Sequence, residues 1–224
     1  MSAAAVHDWL DHPFAPALLR FNLHVADLLH PQRHIEWEPL PVQRADPRAV
    51  AGLGRHASAF ILRRLGLRPV RSLDDPTLPL CMAGPDLFER LTRCCGLLVL
   101  GPAVRRVIVR AEVQALRAQL GEEGLHFCRV QVPSTWAGGG DSPALRAESR
   151  VQALGLGGAL LERAFACASP PVAQRARLRL APDLDAWRGE LPESLGNPAA
   201  ALAAARGVLQ ILDPTWLSSF PAPP

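Results

Sequence analysis

Hydrophobic positions in the first third of the chain recur with helical spacing, and proline and glycine separate the segments. Apolar residues in 14–29 fall three to four positions apart and Pro16 suits a first helical turn, which predicts one short helix. A second helix is predicted over 47–65, because Gly66 after it favours a left-handed stop. The proline-rich segment 31–47 is predicted to be a surface connection.

The middle of the chain has the strongest helical pattern. Asp86-Leu-Phe-Glu89 has the spacing of a capping box, in which two polar side chains pair with backbone amides at a helix start. The helix that it opens is predicted to end at Gly101, and Pro102 then opens a helix that runs to about Leu120 and closes at Gly121. A helical hairpin or sharp bend is therefore predicted at the Gly-Pro pair.

Two shorter patterns in the second half alternate with period two instead. Residues 126–132 and 175–179 alternate in the way that half-buried strands do, although seven residues also fit an irregular connection. A helix is predicted over 143–168, with Ser142 as its cap and three glycines that allow another helix to approach closely. The last predicted helix, 198–212, is alanine-rich and opens at an Asn-Pro pair.

These patterns predict a mainly α fold, with room for one small two-stranded β element. Composition agrees, since apolar residues make up 49% of the chain, aromatic residues only 5%, and Tyr is absent, so the core must consist mostly of Leu, Val and Ala. We expect a single helical domain over 14–212, preceded by a flexible N-terminus, 1–13, and followed by a proline-rich tail, 213–224.

Candidate catalytic chemistry is sparse. No HExxH, GxSxG or phosphate-binding loop occurs, and Pro31 interrupts the helix that would make His30 and His34 a metal-ligand pair. We therefore expect no enzyme activity, no cofactor and no metal. An enzyme whose residues assemble only in three dimensions remains a weaker alternative.

The cysteines and the hydropathy profile indicate in which cellular compartment the protein is found. Five cysteines form no CxxC pair, which indicates reduced core residues and a cytoplasmic protein. The N-terminus lacks the pattern of a secretory signal, and the longest uncharged apolar stretch, 94–104, is far too short to span a bilayer. We therefore expect no direct membrane insertion.

All 24 basic residues are arginines, and they form three groups, at 63–64, 105–117 and 175–179. Each group is either a solvated face or a contact for an acidic protein patch, since arginine is enriched at binding hot spots. Nucleic-acid binding is disfavoured, because the net charge is only +3 and no aromatic residues are interleaved with the arginines.

Two stretches, LLRFNLHVADLLHP at 18–31 and LTRCCGLLVLGPAVRRVI at 91–108, resemble the SctK (YscK) family of bacterial type III secretion proteins. The resemblance implies a cytosolic, mainly helical adaptor without enzymatic activity. It implies that the chain links the cytoplasmic domain of the inner-membrane ring protein SctD to the pod protein SctQ, and indirectly to SctL and the ATPase SctN. It would then lie at the cytosolic face of the inner membrane, where assembly and secretion depend on it.

The resemblance supplies no interface motif, so the contact residues are predicted on physical grounds. Exposed arginines and tryptophans contribute much of the binding energy at interfaces. The candidates are Arg105, Arg106, Arg110, Arg117 and Trp37. The alternative function is a helical small-molecule-binding or regulatory domain with a pocket between the helices that flank Gly101-Pro102.

Overall fold

A computed structural model describes residues 14–33, 47–132 and 142–221, and gives only the backbone for 47–53. Within these residues the chain forms ten α-helices, several short 3-10 or π turns and no strand. The mainly α prediction is therefore confirmed. The helices are α1 Ala15–Leu23, α2 Pro47–Leu65, α3 Leu78–Met82, α4 Pro85–Arg106, α5 Arg110–His126, α6 Ser149–Ala164, α7 Pro170–Arg179, α8 Asp185–Arg188, α9 Pro198–Leu212 and α10 Pro214–Ser218.

The chain divides into two compact units, each assembled from separate segments. Unit 1 comprises Met1–Met82, Ala168–Pro182 and Phe220–Pro224, and unit 2 comprises Ala83–Cys167 and Asp183–Ser219. The described helices of unit 1 are α1, α2, α3 and α7, and the other six belong to unit 2. The expected domain limits at residues 14 and 212 stay a prediction.

Unit 1 is built around a small aliphatic cluster and a set of buried polar contacts. Val25, Leu29, Ile61 and Leu178 form the cluster, so the turn after α1 packs on both α2 and α7. Asn22 fixes the segment after α2, because its side chain donates to the carbonyl of Val70 and accepts from the amide of Val70, both at 2.8 Å.

Unit 2 is centred on α4 and α6, which approach closely through glycines. A Cβ added at Gly157 of α6 would lie 1.7 Å from the carbonyl oxygen of Thr92, and one at Gly96 of α4 would lie 1.7 Å from that of Ala153. Only glycine allows backbones to approach this closely. The glycines of α6 were predicted to permit such an approach, and Gly157 confirms it.

The helix predicted to end at Gly101 does not end there. Helix α4 continues through Pro102 to Arg106, and the break comes at residues 107–109. Gly101 is buried in this turn, and the Arg105 side chain, four residues further on, donates to its carbonyl at 3.4 Å. The hairpin predicted at Gly101-Pro102 is wrong, whereas Gly121, with φ +75°, does interrupt the helix where predicted.

The predicted capping box is also wrong. Helix α4 starts at Pro85, its N-cap is Gly84, and no side chain caps it. Asp86 therefore lies inside the first turn, two positions after the N-cap. Ser142 caps no helix either, because α6 begins only at Ser149 and the Ser142 hydroxyl donates to the carbonyl of Val99.

Both predicted strands are helical. Phe127–Gln131 forms a π-helical turn and Pro170–Arg179 forms α7. In α7 the buried positions include Val172, Arg175, Ala176 and Arg179, which follow helical spacing only if the arginines count as core residues. Treating arginine as exposed produced the apparent period of two.

Other helix limits match the sequence patterns. Helix α2 ends at Leu65 and Gly66 has φ +59°, as a left-handed stop requires. Helix α9 spans Pro198–Leu212, and the Asn197 side chain accepts from the amide of Ala199 at 2.8 Å. The predicted 14–29 helix instead divides at His24 into α1 and a 3-10 turn.

Candidate protein-interaction surface

The connection between α4 and α5 exposes aliphatic side chains. The helix ends at Arg106, residues Val107 and Val109 are extended, and α5 begins at Arg110. Ile108 is 86% exposed and Val109 is 54% exposed. An isolated exposed aliphatic residue needs no explanation, but adjacent β-branched side chains at an extended corner form a small apolar patch.

Hydrogen bonds from two arginines fasten this corner to the π-helical turn. Arg129 donates to the carbonyl of Val107 at 3.2 Å, and Arg105 donates to the carbonyl of Val132 at 3.2 Å. Val130, which follows Arg129 in this turn, is 68% exposed. The "connector surface" comprises Arg106, Ile108, Val109, Arg110, Arg129 and Val130.

The connector surface is basic as well as apolar. Arg106, Arg110 and Arg129 are all exposed, and neither Arg106 nor Arg110 forms an ion pair with a described residue. Glu112, in the first turn of α5, is an acidic neighbour along the chain. An exposed aliphatic patch beside free guanidinium groups suits a partner surface that combines apolar and acidic side chains.

The structure does not bring the five predicted interface residues together at one surface. Arg106 and Arg110 fall on the connector surface, but on two different helices, so the single basic helix face predicted over 102–120 is wrong. Arg105 is half-buried and positions the corner, and Arg117 pairs with Glu122 at 2.6 Å. Trp37 lies outside the described residues. Sequence reasoning missed Ile108 and Val109 because it assumed that the connecting segment was helical, and it missed Val130 because it assigned 126–132 to a strand.

A second feature of unit 2 is a cleft of about 200 Å³ between α4, the end of α5, the π-helical turn and the end of α9. Its lining is cationic on one side, with Arg90 and Arg93, and mostly apolar elsewhere. The remaining lining residues are Cys94, Glu123, Gly124, His126, Phe127, Gln131, Ile211 and Leu212. The cleft does not flank Gly101-Pro102, which lies inside α4, so it is not the pocket predicted for the alternative function, and that pocket stays a prediction.

Cysteine chemistry in the cleft is suppressed by burial. Burial raises the pKa of Cys94 to about 11, and the nearby guanidinium of Arg93 offsets this only partly. Burial likewise raises the pKa of Cys128 to about 12. Both thiols are therefore protonated at neutral pH and are poor nucleophiles.

Two arginines of the third group, Arg175 and Arg179, are core residues, whereas Arg177 between them is exposed. Arg175 is 1% exposed and Arg179 is 6% exposed. Arg175 donates to the carbonyls of Arg68 at 2.6 Å, Pro171 at 3.0 Å, Phe21 at 3.3 Å and Asn22 at 3.4 Å. Burial lowers the pKa of Arg175 and lowers that of Arg179 to about 10. Arg175 and Arg179 therefore join α7 by hydrogen bonds to α1, to the segment after α2 and to α3 within unit 1.

Metal ligands and membrane spans were searched over the same part of the chain. No group of three His, Cys, Asp or Glu side chains is arranged to hold a metal ion in residues 14–33, 47–132 and 142–221. No described helix is both long enough and apolar enough to cross a membrane. His34, which has the spacing of a metal-ligand pair with His30 but was not expected to bind metal, lies outside the described residues.

A comparison with protein families gives one match. The family model described as YOP proteins translocation protein K (YscK) matches residues 54–205, about two thirds of the chain. The whole connector surface lies inside the match, and so does the cleft except for Ile211 and Leu212. No curated protein and no solved structure matches the chain.

Proposed function

Because the chain belongs to the YscK family, whose members are components of type III secretion, we propose that it is a non-enzymatic adaptor of the sorting platform. In this role it links the cytoplasmic domain of SctD to the pod protein SctQ, and through SctQ to SctL and the ATPase SctN. It would act at the cytosolic face of the inner membrane, held there by the secretion apparatus, and be required for assembly and secretion.

The connector surface is the observation that carries the proposal. Ile108, at 86% exposure, forms an apolar protrusion flanked by Arg106 and Arg110, neither of which pairs with an acidic side chain in the part of the chain that the structure describes. Protein interfaces combine an apolar centre with polar neighbours, and arginine is among the residues that contribute most to binding. Hydrogen bonds from Arg105 and Arg129 hold the corner in place, so little entropy is lost when a partner binds.

The test is a binding measurement with two variants of the connector surface. Arg106→Glu/Arg110→Glu reverses its charge, and Ile108→Asp removes its apolar protrusion. We expect each variant to weaken binding to the SctD cytoplasmic domain or to SctQ at least about tenfold by calorimetry, because hot-spot substitutions cost about 2 kcal/mol or more. All three side chains are exposed, so the melting temperature should stay within a few degrees of the wild type.

Arg150→Glu is the matched control, since Arg150 is an exposed arginine of unit 2 outside the connector surface. Equal binding by all variants would show that the partners bind elsewhere. Failure of the wild-type chain to bind either partner, over a range of salt concentrations, would overturn the adaptor function itself.

A further inference from the structure

We propose that the cleft between α4 and α9 is an anchor site for an acidic and aliphatic segment of a partner protein. A glutamate or aspartate of this segment would pair with Arg90 and Arg93, and a neighbouring aliphatic side chain would enter the apolar part of the cleft. The inference rests on the proposed adaptor function, since the ligand is a segment of another protein.

The charges in the cleft favour a carboxylate. Arg90 is exposed, whereas the Arg93 side chain is only 32% exposed, and its buried Nε donates to no acceptor among the described residues. The partly exposed Arg93 guanidinium and the exposed Arg90 line the same cleft, so a carboxylate that enters it would form charge-assisted hydrogen bonds with the accessible nitrogens. Burial of Arg93 also shields the pair from solvent, which strengthens a charge-assisted hydrogen bond.

Glu123 does not already supply the carboxylate that we propose for the cleft. Its carboxylate lies 3.6 Å from the Arg93 guanidinium, but its side chain is 87% exposed. An ion pair this exposed contributes little, so the glutamate can swing aside at small cost when a ligand arrives. His126 also lines the cleft, which leaves the basic residues in excess over the single acidic one.

The rest of the cleft suits an aliphatic side chain. Phe127 and Cys94 are buried beneath it, and Ile211 and Leu212 at the end of α9 are half-buried beside it. At about 200 Å³ the cleft is smaller than the roughly 300–1,000 Å³ of most small-molecule sites. It therefore fits one or two side chains of a peptide better than a metabolite.

The chain offers a simple reporter for this binding. It has four isoleucines: Ile35, Ile61, Ile108 and Ile211. Labelling their δ-methyl groups for NMR gives a signal in the cleft, from Ile211, one on the connector surface, from Ile108, and one in the core of unit 1, from Ile61. A single titration thus distinguishes binding in the cleft from binding elsewhere.

The probes are acetyl-Leu-Glu-Leu-amide and its uncharged counterpart, acetyl-Leu-Gln-Leu-amide. We expect the acidic peptide to shift the Ile211 signal saturably, with a dissociation constant in the millimolar range, and the uncharged peptide to bind at least about tenfold more weakly. Arg93→Gln should reduce the affinity for the acidic peptide to that of the uncharged one. Arg90→Gln, at an exposed position, gives the same test without risk to the fold, and Arg150→Gln is the control.

Three outcomes would overturn the inference: no Ile211 shift, equal shifts with both peptides, or a shift at Ile108 alone. A pull-down with the SctD cytoplasmic domain and SctQ separates this inference from the adaptor function. If the wild-type and Arg90→Gln chains capture a partner equally and Ile211 does not respond, the anchor site is wrong and the adaptor function stands. If neither partner is captured by the wild type, the adaptor function is wrong.

Discussion

Two arginines of α7 occupy positions that a helix normally gives to leucine or valine. A guanidinium has five N–H donors, and Arg175 uses them to reach carbonyls from α1, from the segment after α2 and from its own helix. The carbonyls of Phe21 and Asn22 belong to the last turn of α1, and that of Arg68 follows α2, so these three lie where the backbone does not complete regular helical hydrogen bonds. The arginine therefore replaces hydrogen bonds that secondary structure does not supply in unit 1.

Arg175→Met should lower the free energy of unfolding by at least about 3 kcal/mol, because several buried carbonyls lose a charged donor at once. Urea denaturation followed by circular dichroism measures this. Arg177→Met is the matched control, since Arg177 is exposed on the same helix and should change stability by less than about 0.5 kcal/mol. Equal effects of the two substitutions would show that Arg175 is not structural.

The buried thiols predict how stability depends on pH. Burial raises the pKa of Cys81 and of Cys128 from 9.0 to about 12, and that of Cys94 to about 11. Above pH 9 the unfolded chain loses thiol protons that the folded chain keeps, so the unfolded state binds fewer protons and stability falls as pH rises.

Between pH 8 and pH 10 we expect each of these thiols to reduce the free energy of unfolding by about 1 kcal/mol. Urea denaturation at intervals of half a pH unit measures the slope. Burial also raises the pKa of Cys95, so four thiols share the effect and Cys128→Ala should make the slope shallower by about one quarter, whatever its effect on absolute stability. A slope that Cys128→Ala leaves unchanged would assign the pH dependence to other groups.

Among the elements, the crossing of α4 and α6 depends most strongly on single residues. In Gly157→Ala the new methyl group would lie 1.7 Å from the carbonyl oxygen of Thr92, which is backbone and cannot move aside. The helices must separate, so we expect a loss of about 3 kcal/mol or more despite the roughly 1 kcal/mol better helix propensity of alanine. Thermal and urea denaturation of the purified variant measure this.

Gly54→Ala is expected to change the stability of the same chain in the opposite direction, by raising the free energy of unfolding. Gly54 lies in α2 and a Cβ there would meet nothing within 4 Å, so only the gain in helix propensity applies. We expect stabilisation by about 0.5–1 kcal/mol. If both alanine variants shifted stability in the same direction, close packing at Gly157 would not be the cause of its effect.

The sequence predicts a helix limit correctly where a capping or stop residue next to that limit determines it. Gly66 ends α2 and Asn197 caps α9, because each acts on its own neighbours in sequence. The stop predicted at Gly101-Pro102 was wrong, since a Gly-Pro pair favours a helix end locally and only the folded structure, in which Gly101 is buried, shows that α4 continues to Arg106. The connector surface was missed for the same reason, because its position depends on where α4 really ends.

At the scale of the whole molecule, neither unit is a continuous segment. Unit 1 needs residues 168–182 from the second half of the chain, and unit 2 needs 183–219 as well as 83–167. A fragment that stops at residue 82 lacks Arg175 and Leu178, and therefore lacks both the buried arginine and part of the aliphatic cluster of unit 1.

We expect the fragment 1–82 to show no cooperative unfolding transition by circular dichroism, although its helices have favourable local patterns. The fragment 83–167, which lacks α9, should expose the apolar surface that α9 covers in unit 2 and bind a hydrophobic dye. The intact chain is the control for both. Cooperative unfolding of the fragment 1–82 at near-native stability would show that α7 is dispensable.

The same interleaving limits the order in which the protein can fold during synthesis. Proteins made of consecutive domains complete the N-terminal domain while the ribosome is still translating the rest. Here the N-terminal helices must wait for α7, and the α4–α6 pair must wait for α9, so no finished unit exists until most of the chain has left the ribosome. Until then the aliphatic surfaces of both units stay accessible, which makes the nascent chain a substrate for ribosome-associated chaperones.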